Sequence, residues 1–407
     1  MNLYCFWSFI HISAREMLSA IFCIFTNYLF SAGKENLHMK IDGKRYRSIW
    51  IDESDPGIIK VIDQEKLPFS FEIRELHTVE DIFNAIRDMT VRGAPLIGVT
   101  GAFGMYLATL EITSHTNIAD HLNNAARYLI SSRPTAVNLS WAVKKMLKKI
   151  TGISSLQDLS DTALNCAIDI CETEVNNCRQ IGKHGIKIIE KISKKKKGQT
   201  VNILTHCNAG WLACVDYGTV TAPIYLAHEK GISVHVWIDE TRPKNQGAKL
   251  TSYELGNEGI PYTLITDNTG GHLMQKGLID IVLSGSDRTT KTGDVANKIG
   301  TYLKALAARD NNIPFYVALP SSSIDLSISN GLNEILIEER DPSEVTHVTG
   351  YSDGKIMSVR ICPEDTKAIN YGFDVTPARL VTALITEKGI FKATEEGIRK
   401  LFSDKFN

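Results

Sequence analysis

The sequence predicts an α/β fold, for three reasons. Between residues 201 and 320, five short apolar runs (201–204, 233–237, 262–265, 281–283 and 315–318) alternate with stretches of helical periodicity. The runs are rich in β-branched and aromatic residues, as in strands buried on both faces of a parallel sheet. Each run then gives way to polar or small residues: Thr205-His206-Cys207-Asn208-Ala209-Gly210, Asp239-Glu240-Thr241-Arg242, Asp267-Asn268, Gly285-Ser286-Asp287-Arg288 and Pro320-Ser321-Ser322. Ligands of an open parallel sheet bind at the carboxyl ends of its strands, so these five segments are predicted to share one rim. A Rossmann-like parallel sheet domain is therefore predicted over 193–407, preceded over 39–192 by a smaller, mostly helical domain with a short β element.

Residues 1–38 stand apart. Residues 17–32 are almost uninterruptedly apolar behind a single Arg15, which is brief for a spanning helix and thin in basic charge for a signal peptide. The favoured expectation is a biological start at Met39. Short strands are predicted at 46–51, 58–62 and 69–73, punctuated by Asp55-Pro56-Gly57 and Leu67-Pro68. Thr78 with Asp81 three residues on has the pattern of a capping box opening a helix. Arg92-Gly93-Ala94-Pro95 turns sharply into a helix through Leu110; its exposed amides beside an arginine suit an anion, although a plain turn with Arg92 on the surface is an equal reading. Arg133-Pro134-Thr135-Ala136-Val137-Asn138 makes a second such turn. Cys171 and Cys178, a heptad apart in a helical pattern, are core candidates, and Lys194 to Lys197 reads as a solvated linker.

With 407 residues and a formal net charge of −1, the chain has room for two domains and no excess of basic residues to suggest a nucleic-acid or membrane partner. The eight cysteines form no CxxC pairs, which fits free thiols in a reducing, cytoplasmic setting. GxGxxG after the first strand and GxxxxGK[ST] anywhere are both absent, and the histidines lack zinc-ligand spacing.

Two residues on the rim can carry chemistry. Cys207 is predicted at a strand-to-helix junction, where the helix dipole and amide donors favour thiolate; the alternative is a small buried residue. Asp287 follows the fourth strand, and partial desolvation there raises a carboxyl into the range of a general acid; the alternatives are a cap or a pair with Arg288. Asn297 and Lys298, predicted to open a further helix, and Gln246 in the second strand's loop are candidates for holding hydroxyls and phosphate, or else surface hydrogen bonding.

Taken together, the 205–210 segment, Gly285-Ser286-Asp287-Arg288, the stretch Gly293-Asp294-Val295-Ala296-Asn297-Lys298-Ile299-Gly300-Thr301-Tyr302, the two arginine turns and Phe373-Asp374-Val375-Thr376-Pro377 resemble the S-methyl-5-thioribose-1-phosphate isomerase family, related to subunits of translation initiation factor 2B. The likeness runs from about Met39 to near Ile390. It implies isomerisation of 5-methylthioribose 1-phosphate to 5-methylthioribulose 1-phosphate in methionine salvage, with no metal or organic cofactor and a homodimer formed through the sheet domain. It further implies Asp287 as proton donor, Cys207 as second catalytic group, and Arg92, Gly93, Ala94, Arg133, Gln246, Asn297 and Lys298 as substrate-binding residues. Two alternatives within the same superfamily are an isomerase of ribose 1,5-bisphosphate or 5-deoxyribose 1-phosphate, and a non-catalytic regulatory subunit.

Overall fold

In the computed structural model, residues 39–113 and 116–403 are described, so the apolar extension over 1–38 lies outside the described residues. After a two-stranded ribbon, Lys40–Ile41 with Lys44–Arg45, comes an antiparallel sheet of β1 (Ile49–Ile51), β2 (Ile59–Ile62) and β3 (Ile73–Leu76). The third strand lies later than the predicted 69–73. The N–H groups of Phe69 and Ser70 both turn back to the Lys66 carbonyl at 3.0 Å, so that segment is a turn and pairing starts only at Ile73.

Five helices follow: α1 (Val79–Arg87), α2 (Ala94–Leu110), α3 (Ile118–Ser131), α4 (Val137–Ile150) and α5 (Leu156–Lys195). The predicted capping box opens α1: Thr78 Oγ1 accepts from the Asp81 N–H, and Asp81 Oδ2 accepts from the Thr78 N–H, both at 3.0 Å. Helix α2 is buried almost throughout, and its Gly101 lets Leu139 of α4 approach to where a Cβ would meet it at 2.4 Å. Helix α5, 40 residues and roughly 60 Å long, carries Cys166, Cys171 and Cys178 inward. The lysine run read as a linker instead closes α5. Lys194 and Lys195 lie in its last turn, where the helix dipole favours positive charge, and Lys196 Nζ bonds Asp280 at 2.5 Å.

The main sheet has seven strands: β4 (Val201–Thr205), β5 (Val234–Asp239), β6 (Tyr262–Ile265), β7 (Ile281–Ser284), β10 (Phe315–Ala318), β15 (Ala383–Thr386) and β16 (Gly389–Phe391). The order is β16–β15–β10–β7–β4–β5–β6, parallel except for the β15–β16 pair, so the α/β fold is as predicted. Both faces of the inner strands are covered: Leu384 joins a core with Leu204, Leu273 and Ala305, while its neighbour Ile385 faces Gly185 of α5. The run at 262–265 departs from the predicted two-sided burial, because β6 is an edge strand and leaves Tyr262 and Leu264 exposed. Between and beyond these strands lie α6 (Thr221–Glu229), α7 (Ser252–Asn257), α8 (Thr269–Gln275), α9 (Thr301–Asp310) and α10 (Glu395–Leu401).

A second sheet crosses the carboxyl rim in the order β11–β8–β9–β14, comprising β8 (Arg288–Thr290), β9 (Val295–Lys298), β11 (Ile324–Asp325) and β14 (Phe373–Thr376); β12 (His347–Ser352) and β13 (Lys355–Arg360) form a separate hairpin. Asn297 and Lys298 therefore end a strand and do not open a helix. They pair with Asp374 and Phe373 of β14, and α9 starts only at Thr301, after Gly300 has turned the chain at φ +99°.

One carboxylate lies deep between the layers. Glu174 of α5 is 2% exposed, and Ser322 Oγ donates to one of its oxygens at 3.3 Å. Burial pushes its pKa up to about 7. Its folded value thus exceeds its unfolded one, and this contribution to stability is full below the unfolded pKa and is lost as pH rises through about 7, amounting to at most about 3 kcal/mol. Thermal unfolding should accordingly show Glu174→Gln more stable than the parent at pH 8, with the gain shrinking at pH 5; an equal gain at both would contradict the linkage.

Candidate active site

The strand order reverses between β4 and β7, and the loops leaving those two strands part to form a crevice. Cys207 stands two residues past β4 and Asp287 three past β7. Cys207 adopts φ +65°, a left-handed conformation disfavoured for a side chain with a Cβ, and its N–H is held by Thr241 Oγ1 at 2.8 Å. The helix predicted to start here does not form. The next residues make a single 3-10 turn, Trp211–Ala213, because the Trp211 and Leu212 N–H groups bond the Glu254 carboxylate, and α6 begins only at Thr221.

All nine sequence-predicted residues, Arg92, Gly93, Ala94, Arg133, Cys207, Gln246, Asp287, Asn297 and Lys298, line one cavity, with an empty volume near 650 Å³ counting its open mouth. Gly93 caps α2 at φ +93°, and a Cβ there would lie 2.4 Å from the Ala213 carbonyl, so only glycine brings the start of α2 to the wall. Arg92 is buried, not on the surface; Nη1 and Nη2 donate to Asn208 Oδ1 at 2.5 Å and to the Asn208 carbonyl at 2.7 Å. Arg133 pairs with Glu338 at 3.0 Å. Gln246 is 5% exposed and its Oε1 has no donor among the described residues. Asn297 Nδ2 bonds Ser284 Oγ and Thr301 Oγ1, both at 3.0 Å, and Lys298 Nζ lies 4.9 Å from the centre of the Phe373 ring. The Asp287 N–H bonds the Ala296 carbonyl at 3.0 Å, and Arg288 pairs with Asp325, leaving the Asp287 carboxyl to the cavity. Sequence reasoning missed Asn208, Glu254 and Glu338, whose partners are 116, 46 and 205 residues away.

Desolvation dominates the electrostatics. Burial raises the Asp287 pKa, opposed by the charges of Lys298, Arg133 and Arg92. Burial lowers that of Lys298, opposed by Cys207 and Asp287. The Cys207 thiol is pushed up by burial against the pull of Arg92 and Lys298. A thiolate favoured by a helix dipole, as the sequence suggested, is thus replaced by a thiol held neutral in an enclosed wall.

Among the described residues, His206, Asp239 and Asp267 bring potential metal-ligand atoms within 4.8 Å of one another, a convergence that sequence spacing hid. Here the chain supplies its own cation. Lys304 Nζ lies 3.3 Å from Asp239 and bonds the Asp267 carbonyl, while the His206 ring is held by Asp239 at 3.0 Å and by the Ile299 carbonyl at 2.8 Å.

A model of the initiation factor 2 subunit family matches residues 90–393. The methylthioribose-1-phosphate isomerase of Desulfatibacillum aliphaticivorans is 60% identical over 367 residues, covering 90% of this chain and 100% of its own. That of Desulfosudis oleivorans is 54% identical, covering 88% and 97%. Among solved structures, the 5-methylthioribose 1-phosphate isomerase of Pyrococcus horikoshii superposes with a TM-score of 0.76 at 35% identity, covering 89% of this chain and 97% of its own. The delta subunit of translation initiation factor eIF-2B from A. fulgidus gives 0.72 at 37%, covering 88% and 99%.

Because the Cys207 thiol is held above its ordinary value of about 8.5, its alkylation by iodoacetamide should rise about tenfold per pH unit beyond that point, read by peptide mass spectrometry. Lys298→Met should slow the reaction at fixed pH. A rate already level at pH 8 would contradict the enclosure.

Proposed function

Since the chain belongs to the initiation factor 2 subunit family and, within it, to the methylthioribose-1-phosphate isomerases, it is an isomerase of methionine salvage, and we propose that it converts 5-methylthioribose 1-phosphate to 5-methylthioribulose 1-phosphate with Asp287 as proton donor and Cys207 as second catalytic group. One observation carries the assignment: a carboxyl whose burial favours its protonated form shares a single cavity with a thiol, an amine and two guanidinium groups.

Phosphate on the anomeric oxygen blocks ordinary opening to an aldehyde, so the ring C–O bond itself must break. Asp287 gives its proton to the ring oxygen as that bond cleaves, leaving C1 electron-deficient. The C2 hydrogen then moves with its electron pair to C1, and as the carbonyl forms the C2 hydroxyl proton returns to the Asp287 carboxylate, restoring the acid. A Cys207 thiol held neutral supports this direct shift over removal of the C2 proton by thiolate, and leaves the thiol to stabilise the transition state of the shift. Lys298, Arg133, Arg92 and the first amides of α2 receive the phosphate, while Gln246 and Asn297 meet the sugar hydroxyls. Met89, Ala213, Cys214 and Pro320 are apolar members of the cavity lining, which suits a methylthio group better than a second phosphate.

The enzyme acts in the cytoplasm, where Cys166, Cys171, Cys178, Cys207, Cys214 and Cys362 stay free, and as a homodimer. Leu336 at 73% and Ile369 at 64% exposure, on segments joined by the Arg340–Asn370 backbone bond, offer a second copy an apolar face. Light scattering at micromolar concentration should return the dimer mass, and a monomer throughout would refute it.

Protein starting at Met39 should turn over 5-methylthioribose 1-phosphate, with Asp287→Asn and Cys207→Ser folded yet slower by a factor of about a hundred to ten thousand. In deuterium oxide the C2 hydrogen should be retained at C1. Near-parental rates in both variants would overturn the residue roles, and an inactive parent would overturn the substrate.

A further inference from the structure

Behind the cavity wall lies a carboxylate that none of these steps uses. Glu254, on α7, has no exposed surface, and four donors converge on it. Asn208 Nδ2 at 3.0 Å and the Leu212 N–H at 2.8 Å reach Oε1; the Trp211 N–H and the Tyr225 hydroxyl, each at 3.2 Å, reach Oε2. Both oxygens are fully engaged as acceptors. Gly210 makes the room, since a Cβ there would fall 1.6 Å from Oε2.

This arrangement fixes Asn208. Its amide nitrogen faces two acceptors, Glu254 and Thr251 Oγ1 at 3.3 Å, which leaves Oδ1 for Arg92 Nη1 at 2.5 Å; its backbone carbonyl takes Nη2 at 2.7 Å. Arginine only donates and a carboxylate only accepts, so the amide has one possible orientation. A buried negative charge therefore reaches the Arg92 guanidinium through a single side chain, and a long side chain is held ready before any ligand arrives.

We propose that Glu254 is a positioning residue for phosphate recognition: by locking the Asn208 amide it aims Arg92 along the cavity wall. The role rests on Arg92 binding the substrate phosphate as proposed above. Burial pushes the Glu254 pKa up to about 7, so the charge that anchors the relay is lost as pH falls through that value. The parent's KM should then climb below about pH 7, with that inflection missing in Glu254→Gln.

The test is a cycle of full-chain enzymes: parent, Glu254→Gln, Arg92→Ala and the double variant, each assayed for KM and kcat with folding checked by thermal unfolding. Glu254→Gln should raise KM about tenfold, the scale of one charged hydrogen bond, with kcat changed by less than about threefold. In the Arg92→Ala background it should add nothing. Equal factors in both backgrounds would mean a merely structural carboxylate and overturn the positioning role alone. An unchanged KM in Arg92→Ala would instead remove the phosphate role of Arg92, and the positioning role with it. If Glu254→Gln fails to fold, Asn208→Ala, which leaves Glu254 its other three donors, cuts the same link; additivity with Arg92→Ala then overturns the proposal.

Discussion

A parallel sheet whose strand order reverses between β4 and β7 must leave a gap where the two following loops part company, and the rest of this molecule is arranged around that gap. Cys207 and Asp287 enter it because they stand just past those two strands. The second sheet brings Asn297 and Lys298 across its mouth on β9, and the amino end of α2 closes on it where Gly93 meets Ala213. Contributions from distant parts of the chain meet at one place because backbone geometry leaves few other ways to cover the rim.

Enclosure sets the chemistry as much as residue identity does. The same desolvation that favours a protonated Asp287 lowers the Lys298 pKa and raises that of Cys207, so the three groups are brought toward neutrality together. Charges that stay in the surroundings are matched by close partners: Arg133 by Glu338, Arg92 by Asn208 with Glu254 behind it, and Asp239 by Lys304 and His206. A wall built this way holds its charged side chains in place before any ligand arrives.

Much of this was legible in the sequence, and the remainder was hidden for identifiable reasons. The five central strands announced themselves through β-branched bursts, and the Thr78–Asp81 box and the Pro95 helix start are local signals that need no tertiary partner. The helix expected at Cys207 failed because its first amides bond Glu254, a partner some forty residues on. Asn297 and Lys298 were drawn into a strand by β14, which lies further still along the chain. Strands β15 and β16 went unread because they lie beyond the alternating stretch at 201–320, and β15 joins the sheet only by pairing with β10 from some seventy residues away. The site residues came from the family likeness; what the fold adds is their meeting in one cavity, together with the buried partners that hold them.

The central claim is that burial raises the Asp287 pKa above that of an ordinary carboxylate, which favours its protonated form. Infrared difference spectra of the parent against Asp287→Asn, recorded across pH, isolate that one carboxyl from Glu174 and Glu254. A protonated-carboxyl band absent from the variant and titrating above the ordinary aspartate value of about 3.9 is the expected result. A band that disappears at or below that value would contradict the account, because burial would then do nothing to hold a proton on the residue that faces the cavity.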